Sequence, residues 1–558
     1  MRLIPALFVL MATPPEPNIP DLVRRVQADS AALTRKLGSS LSSGRLSGLS
    51  AYYAAESKAL EKLDFDRLSR EDQIDVLLLH NKLKSQISEL KIDAAERAEL
   101  ATHLPFMDRL LALDEKLRET MSRPDGRASA VTLDALADEV SKAREKLAKA
   151  KLSPAAAIKI ANAADELQKS LSHWAKFYAG YDPDFTWWCD KPVQALNAAL
   201  ENFERTARQE KAGLKEGDTT TIIGDPIGRE ALLAALEMEM IDYSPEELIK
   251  IAEKEFAWCE AEMAKAAREL GCKTNAEALE KVKNLYVKPG EQPELIRDLA
   301  VEAIDYFKKN MLLTVPPLAE STWRMSMMSP EQQLQSPFFL GGELIQVSFP
   351  TSTMDHDAKL MSLRGNNPHF ARATVHHELI PGHHLQFFYM QRHNTHREAF
   401  DTPFWIEGWA LYWEFMLWDR GFARNAEDRV GMLFWRMHRC ARIIFSLKFH
   451  LGQMTPQECI DMLVEKVGHE RENATAEVRR SFFGNYPPLY QAAYMLGALQ
   501  LRALRTELVD SGRMKEMAFH DAILMGNQMP IAMVRARLNG EKLQFGKRKP
   551  WRWYPGLN

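Results

Sequence analysis

Thr374-Val-His376-His377-Glu378-Leu-Ile-Pro381-Gly382-His383-His384-Leu-Gln386 is the stretch from which the rest of the chain is best read. Four histidines and one carboxylate fall within nine residues, and eight of the chain's fifteen histidines lie between His356 and His396. Imidazoles gathered at this density point to divalent-metal binding. On a regular helix turning about 100° per residue, His377 would share a face with position 381 or with His384, and His376 with His383. Position 381 is proline, which has no N–H for the carbonyl of residue 377 and crowds it. With Gly382 beside it, the spacing predicts a bulge or break near 381 that would carry His383 back towards His377. The pattern supports two histidine ligands and by itself leaves open which two.

Downstream lies Trp405-Ile-Glu407-Gly-Trp-Ala-Leu-Tyr412-Trp-Glu414, an aromatic and apolar helical segment. Its two carboxylates are seven positions apart and share a face, a costly placement unless they are paired or bound to metal. Glu407, 24 positions after His383, is the candidate third ligand. Upstream, Thr314 to Asn367 is rich in Pro and Gly, and Phe338–Phe349 reads as extended structure, two short strands ending at Pro350. This would set a small β element beside the metal helix, which Asn367-Pro368 opens. Met325-Ser-Met-Met328 reads as core or gap filling. His356, His369, His393 and His396 read as surface or loop residues. Arg439 and Arg442, on the helix after Glu407, read first as structural ion pairs and second as partners for a substrate carboxylate.

The preceding text is helical. Asp21–Lys36, Tyr52–Lys62, Asp72–Ile92 and Leu133–Lys151 carry apolar residues at three- and four-residue spacing, as packed antiparallel helices do. Breaks are expected at 122–126, at 152–154 and at an aromatic loop Tyr178–Trp188, with Trp187-Trp188 as a packing element. The Gly- and Thr-rich passage Gly213–Gly228 marks a boundary. It gives a possible signal or linker segment (1–20), an N-terminal helical part (21–215) and a catalytic part (216–558). Ser244-Pro-Glu-Glu247 is a capping-box signature for a helix reaching about Leu270, and another helix covers Gln292–Leu312.

The remaining composition excludes more than it assigns. At 558 residues the chain exceeds a single small core, and 46% apolar with 27% charged residues is ordinary for a folded soluble protein. A net charge of −4 offers nothing to nucleic acid, and no stretch has the apolar length of a membrane span. Five scattered cysteines without Cys-x-x-Cys read as free, mostly buried thiols. Arg2, the apolar run Leu3–Ala12 and a Pro-rich sequel slightly favour export, periplasmic or secreted, over a cytoplasmic location.

The opening stretch resembles the HExxH helix of zinc peptidases, with the second histidine displaced by the Pro-Gly insertion. His-Glu-Leu-Ile-Pro-Gly-His-His-Leu-Gln followed by Glu-Gly-Trp-Ala-Leu-Tyr resembles the bacterial domain-of-unknown-function 885 family. That family is itself similar to glutamate-zincin metallopeptidases of the thimet oligopeptidase and carboxypeptidase Taq type. Asp242–Leu270 and Tyr486–Gly497 resemble it too, so the likeness runs from about residue 20 onward; Ser446-Leu-Lys448 departs from it where an Asp and a Gly are expected. The resemblance implies a mainly α, multi-helical metallopeptidase-like fold with a cleft. It implies one Zn2+ per chain held by His377, His383 and Glu407, with Glu378 as general base. Tyr494 is the first choice for oxyanion donor, ahead of Tyr412 and Tyr490. His376, His384 and Glu414 are expected to contact substrate or to support the ligands. The expected activity is peptide-bond hydrolysis on short peptides. A zinc amidase or esterase, and a non-catalytic helical binding protein, are the alternatives.

Overall fold

A computed structural model describes residues 18–218, 221–333, 338–483 and 486–557 of the chain. The segment read as an export signal lies outside the described residues. Helices form where the apolar period predicts them: Ile19–Leu37, Ser43–Leu60, Arg70–His103, Met107–Thr120, Gly126–Lys149, Pro154–Tyr178 and Pro183–Arg205. Most begin at a side-chain cap, with Asn18, Ser42, Ser69, Asp125, Ser153 and Asp182 each accepting a first-turn N–H. The Asp182 cap changes one expectation. It starts a helix at Pro183, so the aromatic interruption is only residues 179–182 and Trp187-Trp188 is helical. Trp187 is 83% exposed, so it is not a packing element. The helix Pro245–Glu269 opens with the expected Ser244–Glu247 capping box.

Apolar packing links the early helices to the late ones. Ile19, Val23, Leu78 and Leu83 join the large core that continues through residues 232–553, while Phe106, Leu133, Leu167 and Phe203 belong to a second core. All five cysteines are unpaired, four of them buried. No helix among the described residues is long and apolar enough to cross a membrane.

Three features of this helical assembly position the site. The helix Pro403–Asp419 is apolar all round and lies at the centre, with Trp405, Trp409 and Trp413 fully buried. It crosses Tyr490–Arg505 with Gly408 facing Gly497, so closely that a Cβ on Gly408 would stand 2.6 Å from the Gly497 Cα. The long helix Ala426–His450 lies along Pro368–Glu378, stacking Phe434 on Phe370 at 4.3 Å. The only sheet among the described residues is a parallel pair, Met325–Met327 with Ile345–Val347, extended by an antiparallel bridge from Leu340 to Gln346. One strand therefore lies in the stretch read as extended, and its partner is the methionine segment read as core. There only Met328 is buried, while Met327 is exposed. Ile345 and Val347 pack on Ala371, Val375 and Leu379 of the histidine helix.

Candidate metal centre

Asn367 caps the helix Pro368–Glu378 and Pro368 occupies its first turn, so His376, His377 and Glu378 fall in its last turn. The helix stops there. Leu379 has φ −109° and ψ −107°, the Ile380–Pro381 peptide is cis, and the Gly382 N–H reaches back to the His376 carbonyl at 3.0 Å. A second helix then runs His383–Met390. Only glycine fits at 382, since a Cβ there would lie 1.7 Å from the His377 carbonyl oxygen. The break is fastened to the central helix at two points. Trp409 Nε1–H donates to the Pro381 carbonyl at 2.9 Å, and Gln386 Nε2 donates to the Trp405 carbonyl at 3.1 Å.

The break turns His383 back on His377, their ring centroids 5.0 Å apart and nearly perpendicular. With Glu407 they offer three buried ligand atoms, all within 4.8 Å of one another. Glu407 Oε2 lies 3.2 Å from His383 Nε2 and 3.6 Å from His377 Nε2, and it accepts no hydrogen bond. Its other oxygen accepts from the Tyr490 hydroxyl at 2.5 Å. On the far sides of the imidazoles, His377 Nδ1–H donates to Glu414 at 2.8 Å and His383 Nδ1 faces Gln386 Oε1 at 3.4 Å. Because a carboxylate can only accept, Nδ1 of His377 carries a proton, which leaves Nε2 as the ring nitrogen that faces Glu407. Two imidazole nitrogens and an orphaned carboxylate oxygen converging from buried residues fit a divalent cation with a tetrahedral preference, and the donor set is one zinc accepts.

The charges respond accordingly. Burial alone would raise Glu407, but the two imidazoles hold it well below the ordinary carboxylate range. Burial lowers His377, and the carboxylates of Glu407 and Glu414 on either side of the ring outweigh it, pushing the imidazole up to about 9. Burial raises Glu378. Such strong attraction for a positive charge between these carboxylates is what a cation would satisfy.

These residues face a cavity of about 540 Å3, lined also by Phe338, Phe387, Ile406 and Trp435. Glu378 lies against Gly341 of the β-side loop, where a Cβ would come within 2.2 Å of its Oε2. Tyr494 and Tyr490 both line the cavity, the Tyr494 ring lying parallel to that of His377 at 6.3 Å. Tyr490, ranked last of the three tyrosines, is the one bonded to Glu407. Glu414 stands behind His377, outside the cavity lining.

The structure does not bring His376, His384 or Tyr412 to the cavity. His376 Nδ1–H donates to the Arg372 carbonyl at 2.8 Å, and burial lowers its pKa to about 4. The ring of His384 is held away from the cavity by the carbonyls of Glu343, at 3.0 Å, and Ala319, at 2.9 Å. The Tyr412 hydroxyl donates to His520 Nε2 at 2.8 Å in the core. Two histidines read as surface residues are structural instead. His396 is buried against Asp75 at 2.7 Å, and His369 pairs with Asp428 at 2.7 Å. Sequence reasoning missed Gly341, Glu477 and Arg480 as lining residues. Only the paired glycines at 341–342 carried a signal, a close backbone approach.

The family model described as "Bacterial protein of unknown function (DUF885)" matches residues 30–538. The chain belongs to the DUF885 family. No curated protein matches this DUF885 chain. Among solved structures it is similar to a candidate lipoprotein of unknown function from Shewanella oneidensis, with 15% identity and a TM-score of 0.69. The match covers 94% of this chain and 100% of that one. A candidate lipoprotein from Colwellia psychrerythraea, also 15% identical, gives a TM-score of 0.58 over 94% of this chain and 97% of the other. These likenesses establish a shared fold for this DUF885 member.

Proposed function

We propose that this protein is a zinc-dependent peptidase of glutamate-zincin type acting on short peptides. One observation carries the reading: His377 Nε2, His383 Nε2 and the orphaned Glu407 Oε2 converge beside Glu378 on the wall of a cavity. His377, His383 and Glu407 would hold the metal. When bound, zinc supplies Lewis-acid polarisation of a carbonyl and makes water acidic enough to attack near neutral pH. Glu378 takes the proton of the attacking water and delivers it to the leaving amine; burial raises its proton affinity, which favours the first of these transfers. Tyr494 is the hydroxyl available to a developing oxyanion, while Tyr490, whose one proton goes to Glu407, orients that carboxylate. Glu414 fixes the tautomer and angle of His377. The description of both solved fold-mates as candidate lipoproteins favours an exported site of action.

Elemental analysis of the purified protein should find about one zinc per chain, and the Glu378→Gln variant should keep that zinc while losing hydrolysis of a short-peptide library. Absence of zinc that cannot be restored, or full activity of Glu378→Gln, rejects the reading. Cleavage of non-peptide amides with no peptide cut would transfer the same chemistry to an amidase.

A further inference from the structure

The cavity has a second, basic pole. Its wall also carries Arg439, Arg442, Arg480 and Glu477; Arg439 and Arg442 lie over the ring of Tyr494, at 4.6 and 4.5 Å, and Arg480 over that of Tyr486, at 5.6 Å. Glu477 is shared by two of these arginines. It accepts from Arg442 Nε at 2.7 Å, and Arg480 Nε lies 2.9 Å from its second oxygen without hydrogen-bond alignment. Arg442 Nη1 is buried without a partner. Arg439 is only 5% exposed, yet its guanidinium donates no hydrogen bond to any described residue. Its nearest anion is Glu414 at 3.8 Å, already committed to His377. Three guanidiniums thus face one dedicated carboxylate, in a place where an unpaired charge costs several kcal/mol.

Buried N–H groups without acceptors are an unmet demand for an anion, and the planar fork of arginine matches a carboxylate. We propose that Arg439, with Arg442 and Arg480, seats a carboxylate of the substrate at this basic pole of the cavity. The carboxylate comes either from the C-terminus of the peptide or from an acidic side chain, and the two sources are separable. This rests on the peptidase reading for the identity of the ligand as a peptide, but its test does not require turnover.

Three probes suffice: a tetra-alanine peptide with a free C-terminus, the same peptide as C-terminal amide, and an amide carrying one interior glutamate. Binding is measured by calorimetry on the zinc-supplemented protein and on Glu378→Gln, and kcat/KM wherever cleavage occurs. A charge-assisted contact predicts that the free acid or the glutamate peptide exceeds the neutral amide roughly ten- to hundredfold, and that Arg439→Gln removes the difference. Preference for the acid assigns the C-terminal carboxylate; preference for the glutamate peptide assigns the side chain. Equal affinity for all three probes in the unmodified protein overturns the proposal even if peptides are cleaved. Acid-selective binding without any cleavage supports it and counts against the peptidase reading alone. Because the probe comparison uses the unmodified chain, misfolding of Arg439→Gln cannot rescue or defeat the idea.

Discussion

Replacing Glu414 by Gln probes the support of the metal site without touching a ligand. In the structure His377 Nδ1–H donates to Glu414 Oε1 at 2.8 Å, both side chains being buried. A hydrogen bond to a charged group contributes about 1.5–3 kcal/mol. The carboxylate also increases the electron density that the imidazole offers through Nε2. The amide of Glu414→Gln would retain an oxygen able to accept the same proton, so the geometry should survive while the charge is lost. The expected cost is a roughly 10- to 100-fold weaker zinc affinity, or about 1.4–2.8 kcal/mol. Glu414→Ala should lose more, since it also frees the imidazole to rotate. Zinc dissociation constants from competition with a chromophoric chelator measure this directly, with thermal unfolding of the zinc-free proteins as the control for folding. Unchanged affinity in both variants, with zinc still bound, would mean that His377 is not a ligand or that Glu414 does not orient it.

Three further outcomes follow from other parts of the structure. Gly382→Ala places a methyl group 1.7 Å from the His377 carbonyl oxygen, so it should displace His383 and reduce zinc stoichiometry well below one. It should also cost about 1–3 kcal/mol in urea unfolding; a full complement of zinc would show that the break tolerates a side chain. Asp75 accepts from His396 at 2.7 Å and from Arg397 at 2.6 Å, tying the helix Arg70–His103 to the loop before the central helix. Asp75→Ala should therefore destabilise by about 3–5 kcal/mol, and a loss under about 1 kcal/mol in denaturant titration would contradict the pairing. Burial pushes Glu239, which accepts from Thr402 at 2.6 Å, up to about 7. Between the unfolded value near 4.5 and the folded value near 7, the folded state holds a proton that the unfolded state has released. Its contribution to stability is thus complete below about pH 4.5 and lost as pH rises through 7, by about 3 kcal/mol in all. Glu239→Gln should flatten that part of the stability profile between about pH 4.5 and pH 7, and an unaltered profile would assign the titration elsewhere.

What could be read from the sequence follows the range of the forces involved. The interruption at 381 is a local matter: a proline without its N–H and a glycine with no Cβ dictate it whatever surrounds them. The helix start at Ser244 is equally local, its capping box being closed within one turn. The choice between His383 and His384 is not local. The two neighbours carry the same ring, and His384 is drawn away from the cavity by carbonyls of Ala319 and Glu343, which no spacing rule can locate. Tyr412 illustrates the same limit, since its position on the helix of Glu407 promised a place in the site and His520, 108 positions away, claimed its hydroxyl.

The arginine pole was only half legible. Arg439 and Arg442, on one helix, read first as structural ion pairs and second as partners for a substrate carboxylate, while Arg480 and Glu477, on another, carried no signal. Only when the helices meet does the imbalance exist, because one Glu477 must then serve two guanidiniums while Glu414 is held by His377. A charge excess of this kind is a property of the assembled cavity and of no segment. The negative pole announces itself through the rare clustering of histidines. The positive pole is built from residues that are common everywhere, and burial without an acceptor is what distinguishes them. If the cavity holds a cation at one pole and a substrate carboxylate at the other, the atoms left without a hydrogen bond in the structure, Glu407 Oε2 and Arg439 Nε, acquire partners in the same event. Binding of either should then strengthen binding of the other, since each removes an uncompensated charge from the wall of the same cavity.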